Sequence, residues 1–301
     1  MTVPVWLVAT LLAASLQVWR TALQQRLRRQ LSPNGAGFVR YAFGAPWSVG
    51  AVLLMSATGT TLRTPTVGFF VTAGVGGIAQ ILGTNCLIRA FALRDFTIGT
   101  AYSKTEALQA ALLSAFVLHE GLSWPGWVGI MVSLFGVLVL AVRGDLRAVQ
   151  KAFGAAGDLA MIAGIGAGAG FAVTGVCLKR ASQSLGEGQP IVRALMTLAA
   201  MNTIQLVING LWLLVANPRE FAAIRASLRM SAFVGLLSVM GSAGWAIANT
   251  LQKVAIVRTV GQVDLVLAFL VGRFAFHEPR RRSEYAGSAL VVLGVVLILL
   301  P

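Results

Sequence analysis

Acidic residues are scarce in this chain: ten Asp and Glu stand against 24 Lys and Arg in 301 residues, and all charged residues make up only 11% of it. A soluble domain carries about 25% charged residues, so a fully water-facing surface is excluded. Cysteine occurs only at Cys86 and Cys177, each within its own apolar segment. That excludes a disulfide framework or a Cys-x-x-Cys redox motif, and both are expected as buried free thiols. The two histidines form His119-Glu120 and His277-Glu278; neither extends to H-E-x-x-H, so no metal site is expected there. No nucleophile paired with a base, metal cluster or phosphate-binding loop is present, so the expectations are no enzyme, no cofactor and no direct ATP coupling.

What the chain has is apolar length. Hydrophobic residues make up 57% of it and its mean hydropathy is +0.79, which places it in a lipid bilayer. The formal net charge of +14 lies in short connections between apolar segments. It reads as a topology signal and not as a nucleic-acid surface. At about 20 apolar residues per span, ten spans are predicted: 3–22, 37–57, 66–88, 97–118, 125–142, 157–178, 190–215, 231–251, 259–275 and 285–300. The N-terminal segment has no basic residue ahead of it and is expected to be a first span, not a removed signal peptide. The expected fold is an all-α integral membrane protein.

Short connections make neighbouring spans antiparallel, so five spans per half give two halves of opposite orientation. The halves, 1–150 and 151–301, resemble each other. FVRYAFGAP at 38–46 matches IVRALMTLA at 191–199, placing Arg40 opposite Arg193, and NCLIRAFALR at 85–94 matches NTLQKVAIVR at 249–258. His119-Glu120 matches His277-Glu278, and the same spacing sets Glu106 opposite Asp264, Gly129 opposite Gly287 and Gly136 opposite Gly294. These matches keep one order along the chain and predict two inverted five-helix repeats, with a gap of about six residues before Glu106.

Leu31-Ser32-Pro33 followed by Arg40-Tyr41, then Ala92-Leu93-Arg94, Glu106, Glu120 followed by Gly129, and Gly136 together resemble the drug/metabolite transporter superfamily in its EamA-type branch. The resemblance implies a ten-helix carrier working by alternating access on small organic solutes, commonly an exporter driven by a proton gradient. It also implies a structural role for Glu120. Orientation is drawn two ways: loops after odd spans hold about 15 basic residues and those after even spans about five, putting both termini outside, whereas the resemblance implies termini inside.

Glu106 falls within the fourth span, where a charge is costly unless paired, protonated or hydrated. Helical spacing puts Tyr102, Glu106 and Gln109 on one face. Asp264, beside Gln262, is its counterpart in the ninth span. Each acid is a candidate proton or substrate site, with a purely structural hydrogen-bond network as the alternative. Lys104 is expected to reach the nearer membrane surface or to bind a carboxylate, and Arg40 and Arg193 to snorkel or gate. Further cavity candidates are Trp6, Gln17, Asn85, Trp245 and Asn249, and the stripe Asn202, Gln205 and Asn209. Glycines 164–170 lie in a span with no preceding strand, so they predict close helix packing rather than nucleotide binding.

The expected function is secondary transport, with the bilayer and a small molecule as partners, proton coupling, a monomer or homodimer, and a bacterial cytoplasmic membrane as location. A lipid or lipid-linked flippase and a non-transporting membrane scaffold or receptor are the alternatives.

Overall fold

A computed structural model describes residues 3–27, 30–93, 96–141, 159–274 and 282–300. Among these residues there is no strand, and thirteen helices follow one another. They are α1 Val5–Leu27, α2 Pro33–Ala57, α3 Val67–Leu93, α4 Phe96–Ser103, α5 Glu106–Val117, α6 Trp124–Ala141 and α7 Leu159–Ser184. Then come α8 Pro190–Ala216, α9 Glu220–Ala226, α10 Leu228–Leu251, α11 Val254–Gly261, α12 Val263–Phe274 and α13 Arg282–Ile298. Each of the ten apolar segments contains helix. Helices α2, α3, α7, α8 and α10 are each long and apolar enough to cross a bilayer unaided. The pair His277-Glu278 lies outside the described residues.

The fourth and ninth predicted spans are not single helices. The first breaks between α4 and α5, so Glu106 opens a new helix in the middle of that span, and Tyr102 does not share a helix with it. The second starts at Val254, not at 259, and breaks between α11 and α12, leaving Asp264 in the first turn of α12. At both breaks the backbone tightens to bonds three residues back: Lys104 N to Ala101 O at 3.1 Å and Thr105 N to Tyr102 O at 3.3 Å, then Gln262 N to Thr259 O and Leu265 N to Gln262 O, both 3.1 Å. The Thr105 hydroxyl also donates to Tyr102 O at 2.7 Å, competing with the regular ladder. Such short 3₁₀ turns inside a helix mark hinges and functional sites.

Chain packing divides into two compact units. The first comprises Met1–Ile81 and Cys177–Gln252, the second Leu82–Val176 and Lys253–Pro301. Each unit draws on both sequence halves, so the division near residue 150 is not a packing boundary.

In the first unit α2 and α8 run antiparallel, with Phe38 against Gly210 at one end and Ser48 bonded to Asn202 at the other. Both helices open on proline, Pro33 and Pro190, whose missing N–H costs nothing in a first turn. Ser32 caps α2 by accepting from Gly35 N at 3.1 Å. Glu220 of α9 accepts from Ser32 N at 2.6 Å and from Asn217 Nδ2 at 2.9 Å, and so sets a carboxylate at the positive end of the α2 dipole. Ser32→Ala should cost about 1 kcal/mol, read as a lowered melting temperature in detergent.

In the second unit α6 and α13 cross antiparallel on glycines. A methyl at Gly129 would come 2.7 Å from Gly294 O, and one at Gly136 2.8 Å from Gly287 O. Those two contacts exchange under the repeat, which sets 129 opposite 287 and 136 opposite 294. Helices α4 and α11, then α5 and α12, then α6 and α13 begin at positions about one common spacing apart, the 158 residues that separate Lys104 from Gln262. In this register Arg258 stands opposite Thr100 instead of Arg94, so these helix starts need no gap there. The structural role expected of Glu120 is a cap on α11: its Oε2 accepts from Val254 N at 3.3 Å, while Lys253 Nζ donates to Gly121 O at 2.6 Å.

Candidate functional site

Two backbone breaks inside apolar helices leave carbonyls and N–H groups that lipid cannot satisfy, so polar side chains must gather there. The second unit shows that gathering. Lys104 Nζ donates to both oxygens of Asp264, at 2.7 and 2.6 Å. Arg258 NH1 lies 2.8 Å from Glu106 Oε1, an ion contact without hydrogen-bond alignment. All four side chains are largely buried. Each acid therefore faces a cation from the opposite half of the sequence, and the four charges sum to zero. Lys104 does not reach for a membrane surface; Asp264 holds it.

Gln262 ties the two breaks together. Its Nε2 donates to Lys104 O at 3.2 Å, and its Oε1 accepts from the Ser133 hydroxyl of α6. Gln109 donates to Thr105 Oγ1 at 2.9 Å and to Ile165 O of α7 at 3.2 Å.

The glycines of α7 make room for this cluster. A methyl at Gly164 would strike the Tyr102 side chain, and one at Gly168 would come 3.0 Å from Ser103 O, Glu106 N and Gln109 Nε2. Gly175 leaves space for Arg258, whose NH2 would lie 3.1 Å from an added Cβ. Close packing of these glycines is thus what lets a broken, charged segment sit beside α7.

The remaining candidates are not part of this cluster. In the first unit Gln205 is fully buried and donates to Gly77 O at 3.1 Å and Gln80 Oε1 at 2.7 Å of α3. Asn202 donates to Ser48 Oγ at 3.2 Å and Asn209 to Gln205 O at 3.1 Å, so the stripe faces protein. Asn249 donates to Trp245 O at 2.8 Å within α10. Trp6, Gln17 and Trp245 are half-buried, and Asn85 is exposed. Arg193 donates to Gly186 O. Arg40 is buried.

Arg258 and Ser133 were not among the sequence candidates. Arg258 looks like one more basic residue in a connection until α11 is seen to begin at Val254; the only signal was the apolar stretch on either side of it.

Helices this apolar, interrupted where ionisable groups meet, define an integral multi-pass membrane protein. Residues 4–142 match the EamA-like transporter family, a family of the drug/metabolite transporter superfamily. A solved structure described only as "Crystal structure of protein" superposes with a TM-score of 0.70 over 97% of this chain and 97% of its own, at 18% identity. That likeness concerns fold alone. No curated protein matches the sequence.

Proposed function

We propose that the chain is a ten-span secondary transporter, built as two inverted five-helix repeats over 1–150 and 151–301, that exports a small organic metabolite or xenobiotic by proton-coupled alternating access across a bacterial cytoplasmic membrane. One observation carries the reading: the two matched helix breaks each set an acid at the start of a half-helix, and each acid is held by a cation of the other half. Broken helices at equivalent places in inverted repeats are where carriers of this kind build ion and substrate sites. The antiparallel crossing of α6 and α13 on exchanged glycines supports the inversion.

Chemically, the arrangement works as a charge lock. A proton delivered to Glu106 cancels its attraction to Arg258 and removes the carboxylate charge that this buried cation faces. That raises the energy of the locked state relative to any state in which Arg258 finds water or solute, and so shifts the population between them. Loss of the proton restores the pair.

Purified protein in proteoliposomes under an imposed pH gradient tests this reading. Wild type should show saturable flux that follows the gradient. Glu106→Gln should keep solute exchange at equal pH while the gradient response disappears. An unaltered gradient response would remove the proton role, and absence of saturable flux across amino acids, amines, nucleosides and organic acids would remove the transporter reading.

A further inference from the structure

The charge balance of the second unit has no equivalent in the first. Both ion pairs described above belong to the second unit, while the described acids of the first are Glu187, which is exposed, and Glu220, whose two oxygens are taken by Ser32 N and Asn217 Nδ2. Yet Arg40 of α2 is only 8% exposed, and its buried Nε makes no hydrogen bond. Its guanidinium carbon lies 5.6 Å from the centre of the Tyr41 ring. The Tyr41 hydroxyl, on a side chain 4% exposed, likewise has no partner.

A guanidinium whose Nε is closed off without a hydrogen bond, and which has no ion pair among the described residues, is costly to hold, and an unmatched phenol beside it adds to the cost. Arg40 is the eighth residue of α2, about 10 Å along the helix axis from its start. Space is available next to it. Helical side chains lean over the residues three and four positions earlier, and for Arg40 and Tyr41 the shared neighbour is Gly37, where an added methyl would meet no atom within 4 Å.

We propose that Arg40 and Tyr41, beside the gap left by Gly37, bind the carboxylate of a monoanionic organic solute. The planar guanidinium fork matches the two oxygens of a carboxylate, and the phenol supplies a further donor. One cation offsets one negative charge; a dianion would leave charge uncompensated in apolar surroundings. A lipid phosphodiester is also a monoanion, and the experiment separates it. The inference rests on the transporter reading for its purpose, but its test is one of binding.

The full chain in non-ionic detergent is melted with benzoate, lactate and glutamate, with benzamide and benzylamine as the neutral and cationic counterparts, and with phosphatidylglycerol. At least one carboxylate should raise the melting temperature saturably, with no shift from benzamide or benzylamine. Arg40→Met should abolish the shift and, by deleting an unpaired buried cation, melt no lower than wild type without ligand. Tyr41→Phe should weaken binding about tenfold, a loss of about one donor, and Gly37→Leu should block it with every charge in place.

Equal shifts from benzamide, a shift that survives Arg40→Met, a collapse of the ligand-free Arg40→Met protein, or no shift from any carboxylate would each overturn the inference. A shift from phosphatidylglycerol alone would assign the site to lipid and overturn it too. If carboxylates fail to bind while proteoliposomes still move another solute, the inference falls and the transporter reading stands.

Discussion

Gly294→Leu should leave little or no monodisperse protein after size exclusion, the largest loss expected of any single change in this chain. Position 294 lies where α13 crosses α6. Even a methyl there would come 2.5 Å from Gly129 O and Ser133 N, atoms of the facing backbone that no rotamer change can move. The helices would have to separate, giving up the contact along their whole crossing. Overpacking a core costs about 1–3 kcal/mol when side chains can yield; here backbone must yield, so the cost exceeds that range. Gly74→Leu is the control. A Cβ at Gly74 meets nothing within 4 Å, so this variant should melt at or above the wild-type temperature, since glycine disfavours a helix by about 1 kcal/mol. Equal behaviour of the two variants would contradict the crossing.

The same glycines show what the sequence makes legible. Gly129, Gly136, Gly287 and Gly294 are visible in the amino-acid string as repeat partners, and apolar length alone marks the ten long helical segments, though not the short α9 between two of them. Which glycine faces which is not visible, because contact at 129 and 294 is a property of two helices packed together. The helix breaks are harder still. Ser103-Lys104-Thr105 and Gly261-Gln262 contain no proline, and their residue types are tolerated inside helices, so periodicity runs through them and puts Tyr102 and Glu106 on one face. The break comes from local competition, with Thr105 bonding back to Tyr102 O, together with partners distant in sequence such as Gln262. Glu120 shows the same limit: a structural role was foreseeable, but its partner Val254 lies 134 residues away. Arg258 was missed for a related reason, since a charge near a span end looks solvated until its helix start is known.

Lys104 and Asp264 offer the sharpest separation of structure from function. Lys104→Met leaves the Asp264 carboxylate buried with its bidentate partner gone, and Asp264→Leu does the same to the ammonium. Stranding one member of a buried ion pair costs about 3–5 kcal/mol, so each single variant should melt well below wild type in detergent. Replacing both by apolar residues removes the desolvation penalty along with the attraction, which is often close to neutral. The double variant should therefore recover most of the lost melting temperature. Its transport is a different matter. If the pair serves only to hold α4 and α12 together, recovered stability brings recovered flux in proteoliposomes. If the pair is part of the coupling lock, the double variant folds and stays inert, and the charge-swapped Lys104→Asp/Asp264→Lys regains some gradient-driven flux, because the swap restores a titratable pair where the apolar double cannot. Full flux in the double variant would reduce the pair to a fastener and leave Glu106 and Arg258 as the lock.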